Sequence, residues 1–224
     1  MSTRSSRHRV PVQGGFSGPS AAALVGAPAM GRRAAGAMLV GGAVSLCVPV
    51  RSQPAGDDAV ATLLRRGGVV IAFRHALAPG TFDPPGFRLD DCSTQRNLDD
   101  EGRAQARRIA QWFQARRLAP REVWSSPWCR CIDTATLAFG GARREPALGS
   151  PRGDGVSAGE AASAQRRLRR AVVAASSQPG FAVWVTHMFV LADLTGESVA
   201  SAGALVLRAP SADAVQVLAR FEPR

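Results

Sequence analysis

Three short stretches end apolar or β-prone runs in polar groups that could handle an anion. "VIAFRHALAP" (70–79) closes on Arg74 and His75, "VWVTHM" (183–188) closes on His187, and "SSPWCRC" (125–131) puts Arg130 just beyond the run "REVWSS" (121–126). Desolvating such groups costs free energy unless something answers their charge. A guanidinium is a planar fork that matches phosphate bidentately and stays charged at any relevant pH. A neutral imidazole nitrogen is a competent nucleophile near neutral pH, and cationic neighbours hold it neutral. Phosphoryl transfer spreads negative charge over three oxygens, so its catalysis is mostly positioning and charge stabilisation. Capture on a histidine would divide the displacement into two easier steps.

The elements that must position these groups are legible. "GVVIAF" (68–73) and "FAVWVT" (181–186) read as central parallel strands, continuous and β-prone. Residues 57–66, 98–117, 127–139 and 158–177 read as helices. Asp99 is a natural N-cap for the second of these, with Ala106, Ile109 and Phe113 on one face. Pro127 sits where the first residue of the third is expected, with Ser125 and Ser126 as its capping residues. Residues 76–96 are a Pro/Gly-punctuated loop, residues 140–157 another with a short strand near 143–148, and 121–126, 204–208 and 214–221 are further strands. Strands alternating with helices predict an α/β fold, a three-layer α/β/α sandwich with a mostly parallel central sheet. Arg74, His75, Arg130 and His187 then all fall at carboxyl ends of strands, where open α/β sheets bind ligands and helix N-termini favour anions.

Composition bounds the rest. The 224 residues suffice for one domain with a proper core, and 46% are apolar. All 28 basic residues are arginine, and the formal charge is +11. Residues 1–54 hold six of those arginines and no acid, which leaves +5 for the remainder. No basic run is interleaved with aromatics, and "RRLRR" (166–170) reads as a solvated helix face, so no nucleic acid is expected as partner. Residues 1–29 are rich in Ser, Gly, Ala and Pro without periodicity. From Met30, two arginines, an apolar stretch (34–48) and a polar exit have the form of a secretory signal peptide cleaved after Ser52 or Ala55. The apolar stretch is short for a membrane span, so the mature chain is expected to be periplasmic or otherwise exported, without a stable span. A cytoplasmic chain, or one anchored by its N-terminus, is the alternative. The domain division is thus residues 1–55 as extension plus signal and 56–224 as the catalytic domain. After cleavage Cys92, Cys129 and Cys131 remain, and Cys92 could bridge to either of the others. Cys129 and Cys131 lie two apart on a helix and point to different sides, which disfavours a zinc site. No metal and no cofactor is called for.

The same residues resemble the histidine phosphatase superfamily, the phosphoglycerate mutase-like family. "FRHA" is similar to its Arg-His-Gly/Ala signature, "RNLDDEGRAQA" to its NLTxxGxxQA segment, "SSPWCRCIDTA" to its SSPxxRxxxTA segment, and "VTHM" to the stretch around its second histidine. Together these span residues 68–190 in the right order. The resemblance implies a phosphoglycerate mutase-like fold with His75 and His187 catalytic and His75 transiently phosphorylated. Arg74, Arg130 and His187 would hold the phosphoryl oxygens, with Arg96 and Asn97 approaching the pocket as substrate-binding residues. The expected function is a metal-independent phosphatase acting on a small phosphorylated substrate. Alternatives are a non-catalytic module that binds a phosphate ligand in the same pocket, and a protein that docks on anionic lipid or nucleic acid.

A leaving alkoxide also wants a proton. Asp83, Glu145, Asp154, Glu160 and Asp193 are the candidates for that acid, and the sequence does not choose among them. Only about 55 residues separate Arg130 from His187, which leaves little room for the long insertion of mutase-type relatives. Oligomeric state and substrate are not written in the sequence.

Overall fold

The computed structural model describes residues 56–152 and 156–223. The signal-like segment, Cys47 and Asp154 lie outside the described residues. Helix α1 (Asp57–Arg66) leads into strand β1 (Val69–Arg74). Helix α2 (Asp100–Ala115), strand β2 (Glu122–Ser125), helix α3 (Cys129–Phe139) and the two-residue strand β3 (Arg143–Arg144) follow. Helix α4 (Ala158–Ser176), strand β4 (Phe181–Thr186), helix α5 (Met188–Thr195) and strands β5 (Ala204–Arg208) and β6 (Gln216–Phe221) complete the order.

The six strands form one sheet in the order β3-β2-β4-β1-β5-β6. β3, β2, β4 and β1 are mutually parallel, while β5 runs antiparallel to both β1 and β6. Successive residues of a strand face opposite sides of the sheet, and β1 shows the consequence. Val69, Ile71 and Phe73 pack with Leu64, Ala106, Ile109 and Phe113 from α1 and α2. Val70 and Ala72 pack with Leu168, Val172, Val190 and Leu191 from α4 and α5. Covered on both faces, the sheet is the middle layer of the expected α/β/α sandwich.

Local chemistry explains the helix ends. Asp99 caps α2 by accepting from the Gly102 N–H. Ser157 and Glu160 cap each other reciprocally at the start of α4. "RRLRR" lies on α4 with Leu168 buried and Arg166, Arg167 and Arg170 exposed, so it is the solvated face that its pattern suggested. Two expectations need correction. Helix α3 starts at Cys129, with Trp128 rather than a serine at the N-cap position and no side-chain cap. Ser125 and Ser126 are buried: Ser125 Oγ donates to the Ser126 carbonyl, and Ser126 Oγ meets His187 while also accepting from the Trp128 N–H at 3.4 Å, just ahead of the helix. Helix α5, which the sequence reading did not mark out, begins directly after His187. Among the described residues, no helix is long and apolar enough to cross a membrane.

Candidate active site

β1 and β4 are hydrogen-bonded neighbours with Arg74 opposite Thr186. The next residue on each chain is a histidine, so the sheet register alone brings His75 and His187 together. Their ring centroids are 5.4 Å apart and the rings lie edge to face. Each histidine is 3% exposed, as is Arg130. The His75 N–H extends the ladder by donating to the Thr186 carbonyl at 2.9 Å.

His75 Nδ1 lies 2.7 Å from the Ala76 carbonyl oxygen. A carbonyl only accepts, so Nδ1 carries the proton and Nε2 keeps its lone pair. Burial pushes the His75 pKa down to about 3; the carbonyl bond opposes this, and the charges of Arg130, Arg74 and Arg96 add to it. His187 is likewise lowered, by burial first and then by His75 and the same three arginines. Ser126 Oγ is 2.8 Å from His187 Nε2. Both rings are thus held neutral, which the nucleophilic role requires.

The turn that carries His75 is gripped from behind by three residues of the two quoted segments. Thr134 Oγ1 accepts from the Ala76 N–H at 3.0 Å and donates to the Arg130 carbonyl at 2.7 Å. Gln105 Oε1 accepts from the Leu77 N–H at 2.8 Å. Gly102 passes so close to Leu77 that a Cβ there would overlap the Leu77 carbonyl oxygen. The "GRAQA" and "DTA" patterns therefore fix the loop after the histidine instead of touching a ligand.

A cavity of about 500 Å³ opens above the two imidazoles. Arg74, Arg96 and Arg130 line it with Asp83, and Phe82, Phe87, Met188 and Phe189 supply apolar wall. The Nε atoms of Arg74, Arg96 and Arg130 are buried without a hydrogen-bond partner. Nη1 of each is engaged within the chain, Arg74 with the Val199 carbonyl, Arg96 with the Gly80 carbonyl and Arg130 with Asp83, so an anion could be answered by the nitrogens left over or by exchange with these partners.

The remaining expected site residues divide. Arg96 lines the cavity, yet its Nη1 also donates to the Ala78 and Gly80 carbonyls and so ties the loop to itself. Asn97 is not in the cavity wall; its amide donates to the carbonyls of Cys92 (2.7 Å) and Gln95 (3.2 Å). Among the proposed acids, Glu145 is bound by Arg167 through two nitrogens, Glu160 belongs to the α4 cap, and Asp193 pairs with Arg152. Asp83 alone of the described candidates lines the cavity. Sequence reasoning missed Gln95, which is buried and accepts from the Cys129 N–H at the start of α3. It also missed the aromatic wall, since neither Phe82 nor Phe189 sits in a pattern that a spacing rule reads.

Of the two bridges left open, the structure holds Cys92–Cys129. It fastens the loop bearing Asp83 and Arg96 to the first residue of α3, next to Arg130. Cys131 is a free, buried thiol whose pKa burial pushes up to about 12.

Comparison with known proteins agrees with this geometry. The family model "Histidine phosphatase superfamily (branch 1)" matches residues 91–148. The matched stretch holds Arg96, Asn97, Arg130 and Thr134, while His75 and His187 lie outside it. Among solved structures, a phosphoserine phosphatase mutant from Entamoeba histolytica in complex with phosphoserine superposes with a TM-score of 0.50 at 13% identity, covering 70% of this chain and 98% of the other. The protein histidine phosphatase SixA complexed with tungstate gives 0.47 at 16% identity, covering 69% and 97%. A mycobacterial glucosyl-3-phosphoglycerate phosphatase gives 0.48 at 17%, covering 71% and 100%. At these identities the likeness is one of fold. No curated protein matches the sequence.

Proposed function

We propose that this chain is a metal-independent phosphatase that hydrolyses a small phosphomonoester through a phosphohistidine on His75. The observation that carries the reading is the pairing of two buried, neutral imidazoles 5.4 Å apart with three guanidinium groups around one cavity. His75 Nε2 attacks phosphorus while Arg74, Arg96, Arg130 and His187 hold the equatorial oxygens. Water then cleaves the N–P bond and releases phosphate. The arginines supply the charge that a metal supplies elsewhere. Phe82, Phe87, Met188 and Phe189 face the space left for the leaving group and suit one with an apolar portion.

We also propose that the chain works in an oxidising compartment. The Cys92–Cys129 disulfide supports export, because such bonds persist outside the reducing cytosol.

The test is a panel of phosphomonoesters with EDTA present, run on the wild type and on His75→Ala, with acid-quench trapping of the phosphoenzyme. Wild type is expected to turn over and to trap phosphate, and His75→Ala to do neither while keeping the wild-type circular dichroism spectrum. Full activity in His75→Ala, or its loss on chelation, would overturn the mechanism.

A further inference from the structure

The anion receptor is already answered from inside the chain. Asp83 Oδ1 and Oδ2 lie 2.8 and 3.1 Å from Arg130 Nη1. Trp128 Nε1 donates to Oδ2 at 3.1 Å, and the Arg96 N–H donates to Oδ1 at 2.9 Å. The two side chains of the ion pair are 4% and 8% exposed. A planar carboxylate thus takes donors that a phosphoryl group would use. Asp83 also sits on a segment outside any helix or strand, between Gly80 and Gly86, both of which have positive φ. The Asp83 backbone is therefore not held by the hydrogen-bond ladder of a helix or strand.

Resting on the phosphatase reading, we propose that Asp83 is the proton donor of the reaction, parked on Arg130 until the substrate's phosphoryl group displaces it. One Arg130 Nη1 cannot serve both anions. Displaced, Asp83 loses its cation and stands beside a phosphate, and a like charge disfavours its ionised form. It therefore takes a proton from solvent and becomes an acid placed at the leaving oxygen. In the first step His75 Nε2 forms a bond to phosphorus, the P–O bond to the leaving group breaks, and the Asp83 proton passes to that oxygen. In the second step the Asp83 carboxylate accepts a proton from the water that attacks phosphohistidine, and the N–P pair returns to His75.

The parked state is consistent with its surroundings. Burial alone would raise the Asp83 carboxyl; the Arg96 N–H, the Arg130 charge and the hydrogen bonds from Arg130 and Trp128 outweigh it and hold it below its usual range. The charged and titratable groups sharing the cavity with Asp83 are Arg130 from α3, Arg96 from the loop, Arg74 from β1, His75 just after it, His187 before α5, and Arg152. All can favour an arriving anion, so displacement exchanges one anion for another and leaves no cation uncovered.

The experiment compares wild type with Asp83→Asn on p-nitrophenyl, phenyl and alkyl phosphates. It also measures the Kd of inorganic phosphate by calorimetry. Asp83→Asn should keep kcat/KM on p-nitrophenyl phosphate within about tenfold, since kcat/KM reports formation of the phosphoenzyme and that leaving group needs no proton, while kcat falls on every ester because the second step loses its base. It should lose about 10²–10⁴ in kcat/KM on the alkyl ester. Phosphate should bind the variant more tightly, because the internal competitor is neutralised. An equal loss of kcat/KM on all three esters is the signature of a merely structural pair and would refute the proposal, as would unchanged or weaker phosphate binding. Should the variant fold poorly, the wild type alone still decides: a rate that falls steeply with leaving-group pKa means no acid is at work. Failure of the phosphohistidine reading shows separately, as full activity in His75→Ala, and leaves the phosphate measurement to judge the parked carboxylate.

Discussion

Gly102 and Gln105 hold the turn that follows His75 without reaching the cavity, and that makes a sharp prediction at the scale of single residues. In an exposed helix interior Gly→Ala gains about 1 kcal/mol. Here the new methyl would collide with the Leu77 carbonyl, two residues from His75. Gly102→Ala should therefore destabilise by about 1–3 kcal/mol, the usual cost of overpacking, and should lower activity by shifting the turn. A urea midpoint at or above wild type would show that the close approach is relaxed at no cost. The polar residues at strand ends were legible in the sequence because burial and charge conflict there. Ser126 was not, because a serine before a proline reads as a cap, and only the sheet reveals the His187 ring that its hydroxyl meets. Asp83 was visible as one carboxylate among five, and nothing local distinguished it, since its partner Arg130 is 47 residues away in sequence.

At the scale of elements, the loop between β1 and α2 carries functional groups without regular structure to hold them. The Cys92–Cys129 bond, Gln95 and the Arg96 guanidinium take over that task. A disulfide closing a loop of this size is worth about 2–4 kcal/mol. Cys92→Ser should lower stability by that amount and impair turnover together, because the loop bearing Asp83 is anchored there. The buried Cys131 should not substitute for the lost partner. Equal urea midpoints for the variant and the oxidised wild type would contradict this. Element types were readable from periodicity, and β1, β4 and α4 fall within a residue or so of their expected bounds. α3 starts two residues later than Pro127 suggested, because proline's fixed φ permits a helix start but does not compel one. The short α5 was passed over, since eight mostly apolar residues have no polar face to betray a helical period.

For the molecule as a whole, two neutral histidines in the core set how stability depends on pH. His75 titrates near 6.5 when unfolded and near 3 when folded, and His187 is shifted the same way. Between those limits the unfolded chain binds protons that the folded chain does not. Their stabilising contribution is complete above about pH 6.5 and falls as the solution is acidified, by about 1.4 kcal/mol per pH unit for each histidine. Asp83, and Glu145 through Arg167, are shifted below their usual range, so further stability goes once pH falls below the ordinary carboxylate range. Urea unfolding between pH 7 and 4.5 should show this slope, and a His75→Asn/His187→Asn double variant should flatten it. The same slope in that variant would assign the acid sensitivity elsewhere. The layered architecture followed from the alternation of strand and helix runs, whereas the strand order, and with it the adjacency of β1 and β4, did not, because pairing partners 112 residues apart leave no local trace.

That adjacency makes the backbone ladder the ruler of the chemistry. Neighbouring strands lie about 4.8 Å apart, and the imidazoles inherit a separation close to one such step. Adding or deleting a single residue in either strand would carry one ring to the opposite side of the sheet. The distance between the rings is thereby quantised, and evolution or design can retune everything around the pair, but not the gauge itself.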